Sequence, residues 1–303
     1  MTERSASRAE LARIVARESA ETLVGAAAGI RVAAARRLLM PAARSIAKRF
    51  VDFDCALGDR GPVGGADWIL AHASGGVVAT GAEHVPTSGP TLVVANHPGL
   101  ADAVALLAAM ARDDAWIVTA DYPFLRALER AKRRFLFVDD RCTALRHIVR
   151  RLRGGDAVVL FPAGRLEPDP AHAPVEAQAS LATWSRSVDL IARLVPGICL
   201  VPAVVSGAVS RRAFAHPLAR RRLPTNERQR MASLLQLALR SFQGDPIEVR
   251  FGSVTTSAAS AHDEVVARMR SLMTGDASRQ YEVNGLSGSE GATSSRAPHA
   301  GTR

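Results

Sequence analysis

Seven short apolar runs punctuate the middle of the chain, near residues 76–80, 91–95, 115–119, 135–138, 157–161, 198–204 and 247–251. Each is rich in Val, Ile, Leu or Phe, and most are bounded by Gly, Pro, Asp or Ser, which is how buried strands read. The clearest is Thr91-Leu92-Val93-Val94-Ala95, which follows a Ser88-Gly89-Pro90 turn. Longer stretches with helical spacing separate most of them, at 100–112, 122–133, 143–153, 182–194, 226–242 and 262–273. This alternation predicts an α/β fold, a mainly parallel central sheet flanked by helices.

Upstream the pattern changes. Residues 8–53 are helix-compatible, with Leu11, Ile14, Val15, Leu23, Val24, Leu38, Leu39, Ile46 and Phe50 in irregular stripes interrupted by Arg31, Arg36, Arg37, Arg44, Lys48 and Arg49. A basic helical segment of this kind lies in a lipid interface with its cations toward acidic headgroups, or packs as a hairpin on the rest of the chain, and the two are compatible. The expected organisation is an N-terminal amphipathic, membrane-interfacial segment at 1–58, a Gly/Pro/Asp linker at 59–67, and an α/β domain at 68–274. A Ser/Gly/Ala-rich tail at 275–303 has too few large apolar residues to fold and is expected to be disordered.

Composition narrows the class. A chain of 303 residues with 48% hydrophobic content fills a proper core, so wholesale disorder is excluded. The three cysteines, Cys55, Cys142 and Cys199, are far apart and form no CxxC pair, which fits free thiols in a reducing compartment and gives no metal site. Glu3, Glu10 and Glu18 among the early arginines speak against a secretory signal, and the longest uncharged run, 194–210, is broken by prolines and glycines and too short to span a bilayer. The net charge of +10 implies an anionic partner. With 5% aromatic residues and no recognisable nucleic-acid motif, a membrane surface carrying anionic lipid is preferred to nucleic acid. The expected location is cytoplasmic, peripheral on the inner face of the cell membrane.

The densest chemistry is Asn96-His97-Pro98-Gly99-Leu100-Ala101-Asp102, at the carboxyl end of a predicted strand, where open α/β sheets keep their ligand crevices. Five residues of continuous helix would turn Asp102 about 140° from His97, so the pair meets only if the chain bends between them. Pro98 and Gly99 permit that bend. Asp102 would then accept from one ring nitrogen and leave the other as a general base. The plainer alternative is a histidine satisfied by a nearby carbonyl and an aspartate complementing the positive end of its helix.

Two further strand ends carry polar groups, Phe135-Leu136-Phe137-Val138-Asp139-Asp140-Arg141 and Phe161-Pro162-Ala163-Gly164-Arg165, and Leu200-Val201-Pro202-Ala203-Val204 is another strand-like segment, with an internal proline. A turn with exposed backbone donors and a guanidinium suits an anion such as phosphate, although an ordinary turn with a solvated arginine looks the same in sequence. In this order the four blocks resemble the glycerophospholipid acyltransferase superfamily, the lysophosphatidic acid acyltransferase type with its NHxxxxD signature. The match runs from about residue 76 to 252 and includes the lead-in Gly81-Ala82-Glu83-His84-Val85-Pro86.

The resemblance implies that His97 deprotonates an acceptor hydroxyl, that Asp102 orients it, and that Asn96, Arg141, Phe161, Pro162, Gly164 and Arg165 contact substrate. It implies an acyl-CoA or acyl carrier protein thioester as donor, a lysolipid acceptor, and neither metal nor cofactor. The departures fall on the phosphate-gripping positions. The family's FPEGTRS becomes Phe161-Pro162-Ala163-Gly164-Arg165-Leu166-Glu167, and Asp140 displaces Arg141 by one residue. They favour a less usual acceptor, such as an amino-acid-containing lipid. A noncatalytic membrane-binding protein that kept the fold is the competing expectation.

Overall fold

In a computed structural model describing residues 8–24, 30–222, 225–255 and 260–275, all seven predicted strands are present. Helices α1 (Arg8–Val24) and α2 (Ile30–Ala73) come first, followed by β1 (Val77–Thr80), β2 (Thr91–Ala95), α3 (Asp102–Met110) and β3 (Trp116–Ala120). Then come α4 (Pro123–Arg126), β4 (Phe135–Val138), α5 (Arg141–Arg153), β5 (Ala157–Leu160), α6 (Pro174–Ser180), α7 (Ser187–Leu194) and β6 (Cys199–Ser206). Helices α8 (Arg211–Ala215), α9 (Pro217–Arg220) and α10 (Thr225–Ala238) precede β7 (Ile247–Phe251) and α11 (Ala261–Thr274).

The strands form one sheet in the order β1-β7-β6-β2-β5-β3-β4. From β6 to β4 every pairing is parallel; β7 joins β6 antiparallel and β1 lies parallel to β7. A parallel sheet covered on both faces needs apolar residues at every position, and every residue of β2 and β5 is buried. Leu92 and Val94 point to one face, where Leu152 of α5, Ile191 of α7 and Met269 of α11 cover them. Val93 and Ala95 point to the other, against Leu106 of α3 and Leu70 of α2. Pro202 sits inside β6 without breaking it. Its carbonyl accepts from Gly252 N, so its missing donor faces the β7 side just past the end of that ladder, and no bond to β2 is lost.

Three expectations need correction. The linker at 59–67 is helical on both sides of Gly61 (φ 76°, ψ 175°), where α2 kinks and restarts with Pro62. Asp113 caps the new limb by accepting from Val63 N at 3.1 Å. The helix expected at 122–133 is broken into α4 and a 3-10 turn at Ala131–Arg134. Buried Asp54 accepts from the Arg130 and Ala131 amides at 2.9 and 2.8 Å and turns the chain there. The pattern at 182–194 is likewise split, with α7 starting only at Ser187. The N-terminal helices form a packed pair, Leu11, Val15 and Ala16 against Ala43, Ile46 and Ala47. Among the described residues no helix is long and apolar enough to cross a membrane. Residues 276–303 of the expected tail lie outside the described residues.

Candidate active site

β2 delivers Asn96 and His97 to the carboxyl edge of the sheet, beside β6 and β5. Asn96 is 1% exposed and wholly engaged with the backbone of Val205. Its Nδ2 donates to Val205 O at 2.9 Å and its Oδ1 accepts from Val205 N at 2.8 Å, extending the β2–β6 ladder by a side chain. Asn96 therefore anchors the strand end, with both polar atoms bonded to Val205.

The chain then bends at Pro98-Gly99, and Asp102 opens α3 fully buried. Its Oδ2 accepts from His97 Nδ1 at 2.6 Å and from Gly99 N at 3.1 Å, while Oδ1 accepts from Ala103 N at 2.6 Å. With the Nδ1 proton given to the carboxylate, Nε2 keeps a lone pair free. The imidazole is 27% exposed and stacks on Phe161, ring centroids 4.5 Å apart. Burial pushes the His97 pKa down, but the Asp102 charge, its hydrogen bond and the charge of Glu167 outweigh that, and the net direction is up.

Glu167 was not singled out from the sequence. It is 1% exposed, and its Oε2 accepts from His97 N at 3.0 Å. Its Oε1 accepts from Ser180 Oγ at 2.8 Å and Trp184 Nε1 at 2.7 Å, and its own amide donates to His97 O at 2.8 Å. Burial raises its pKa against the pull of these donors. Behind it, buried Gln229 of α10 donates from Nε2 to Pro98 O and Glu167 O, and its Oε1 accepts from Asp169 N. Asp169 accepts from Ala171, Gly207 and Val209 amides. The turns after β2, β5 and β6 are thus laced together beneath the histidine.

The other motif residues scatter. Gly164 (φ 62°) closes a tight turn after β5, and Pro162 O accepts from Ser185 N. Arg165 is exposed and donates to Thr183 Oγ1 at 3.2 Å. Asp140 caps α5 by accepting from Thr143 N at 2.9 Å, which makes Arg141 the exposed first residue of that helix. β4 lies three strand positions from β2. At ~4.8 Å per strand that is about 14 Å. Asp139 is bound by Arg126 at 3.0 Å. Arg141 thus starts three strands away from the dyad, while Arg165 follows β5, the strand next to β2, with one guanidinium nitrogen on Thr183.

A narrow apolar chamber of about 60 Å³ lies between the two limbs of α2, the dyad loop and α10. Ile46, Phe53, Leu70 and Ala208 are buried in its wall; Arg49, Phe50, Leu100, Val104 and Leu237 are partly or fully exposed at its mouth. Leu100 and Ala101 belong to the loop that carries His97 and Asp102. Among the described residues no three His, Cys, Asp or Glu side chains gather as metal ligands.

Residues 76–206 match the family model described as Acyltransferase. That segment holds both members of the dyad, and the match agrees with the acyltransferase resemblance read from the motifs. Among solved structures the chain is similar to the 1-acyl-sn-glycerophosphate (LPA) acyltransferase PlsC from Thermotoga maritima, at 15% identity over 80% of this chain and 83% of that one, with a TM-score of 0.45. No curated protein sequence matches the chain.

Proposed function

We propose that the protein moves a fatty acyl group from an acyl-CoA or acyl carrier protein thioester to the hydroxyl of a lysophospholipid or related lipid, with His97 as general base. The observation that carries this is the His97 Nδ1–Asp102 Oδ2 contact of 2.6 Å inside the acyltransferase segment. His97 Nε2 takes the hydroxyl proton, the oxygen attacks the thioester carbonyl, the carbon–sulfur bond breaks, and the imidazolium returns the proton to the departing thiolate. Asp102 is a positioning residue that fixes the tautomer and stabilises the imidazolium. No metal or cofactor takes part in this scheme.

The apolar wall beside Leu100 and Ala101 supports a lipid substrate, since it offers an alkyl chain a surface next to the dyad loop. The reaction takes place at the inner face of the cell membrane, reached through the exposed Arg31, Arg36 and Arg37 and through Leu38, which is 82% exposed.

The test is transfer from radiolabelled acyl-CoA and acyl carrier protein into a mixed lysolipid panel, comparing the native protein with His97→Ala. Product that disappears in the variant, with liposome binding retained, is expected. Liposome binding without product from either donor would favour the noncatalytic membrane-binding reading.

A further inference from the structure

The bonds around His97 close into a ring whose last member lies outside the segment that matches the family model. Glu167 grips residue 97 at both ends: His97 N donates to Glu167 Oε2 at 3.0 Å, and His97 O accepts from Glu167 N at 2.8 Å. The next carbonyl of each chain, Pro98 O and Glu167 O, is then left to find a partner. Gln229 of α10, beyond residue 206 where the matched segment ends, serves both. Its Nε2 donates to Pro98 O and to Glu167 O, the latter at 2.6 Å, while its Oε1 accepts from Asp169 N at 2.9 Å.

A primary amide suits this corner where few side chains would. It offers two hydrogens on one nitrogen and an acceptor oxygen, and here both hydrogens and the oxygen are engaged. Gln229 is 0% exposed, so water does not replace a lost partner, and a carbonyl freed there keeps its desolvation cost. Holding α10 in place does not require it, because Met231 and Ala232 of the same helix pack against Val209, Ala213 and Ala219. What the amide holds is the backbone on either side of the imidazole. Pro98 follows His97 directly, and Glu167 carries the His97 amide.

We propose that Gln229 is a positioning residue for the His97–Asp102 dyad: it fixes the turn after β2 against the turn after β5 and so sets where His97 Nε2 points. Its effect on the reaction rests on the acyl-transfer reading; its effect on the ring does not.

Gln229→Met keeps the length of the side chain and removes all three bonds. Transfer kinetics taken well below each protein's melting temperature are expected to show kcat about 10- to 100-fold lower, since ~1 Å of displacement at a reacting group costs about 100-fold. KM should stay within about twofold. Ser233 and Leu237 of α10, one and two turns beyond Gln229, wall the chamber, so a bodily shift of the helix would move KM as well. Nitrogen-15 NMR of the substrate-free protein, above the His97 pKa, gives a second readout: a single Nδ1–H tautomer in the native chain and a mixture of tautomers in the variant. Thr91→Val is the control for lost stability. Thr91 is equally buried at the opposite end of β2, where its hydroxyl bonds to Gly89 O and Arg112. It should lower the melt and leave kcat and tautomer as in the native protein. Should Gln229→Met not fold, Gln229→Asn keeps the amide, draws it back by one methylene, and reads the same quantities. A folded Gln229 variant with native kcat, a loss confined to KM, or equal losses in Thr91→Val would each overturn the proposal. Mixed tautomers in a protein whose native form transfers no acyl group would leave the positioning role standing and remove the reaction. His97-dependent transfer that Gln229→Met does not slow would do the reverse.

Discussion

Glu167 places a second carboxylate beside His97, bonded to the backbone of the histidine and not to its ring. Its charge helps raise the His97 pKa, so Glu167→Gln should lower it. In the proposed reaction the base acts in its neutral form, so the acid limb of the pH–rate profile is expected above the ordinary histidine value of about 6.5 in the native protein and at lower pH in the variant. Ring titration by NMR reads the same shift without substrate, and coincident curves would reduce Glu167 to a structural role. The raised pKa also makes His97 a proton sink in the folded state. Its contribution to stability is full below the unfolded value and is lost as pH rises through the folded value, which urea unfolding on both sides of that window would register. Asn96→Ala should strip Val205 of both side-chain partners and cost about 1–3 kcal/mol, seen as a lower urea midpoint. The dyad was legible because His97 and Asp102 are five positions apart in one loop. Glu167 and Val205, 70 and 109 positions away from their partners, leave no local signal.

At the scale of elements, apolar runs bounded by turn residues identify all seven strands, most plainly β2 and β5, which are buried throughout and have no polar face to hide them. The longest of the misread elements is α2. Gly58, Asp59, Gly61, Pro62, Gly64 and Gly65 have the composition of a loop, yet the glycines serve close packing across a kink. A Cβ on Gly65 would lie 2.7 Å from Leu57 Cα, and Gly61 adopts a backbone conformation that side chains disfavour. Gly61→Ala is expected to cost about 1–3 kcal/mol and lower the melting temperature, since its φ and ψ fall where essentially only glycine is comfortable. An unchanged melt would mean that the kink relaxes freely.

For the whole molecule, the boundary read at residue 58 divides a structural unit. Ile46, Arg49, Phe50 and Phe53 wall the chamber, and Phe53 and Leu57 share a cluster with Leu128 and Ala131 of the sheet-bearing part. A chain beginning at residue 59 should therefore lose cooperative unfolding and lipid binding; a sharp calorimetric transition with retained binding would show instead that the segment is dispensable. With a net charge of +10, co-sedimentation of the full chain with anionic vesicles should fall as salt is raised, whereas neutral vesicles should capture little at any salt.

The bonds that frame the dyad reach forward to Val205 and Gln229, 109 and 131 positions beyond Asn96 and Pro98. During synthesis at ~5–20 residues per second, on the order of ten seconds separate the emergence of His97 from that of Gln229. Over that interval the histidine has its aspartate but not the backbone frame that aims it. A ribosome-bound chain thus acquires the framed dyad only late in translation, after the N-terminal helices have been made.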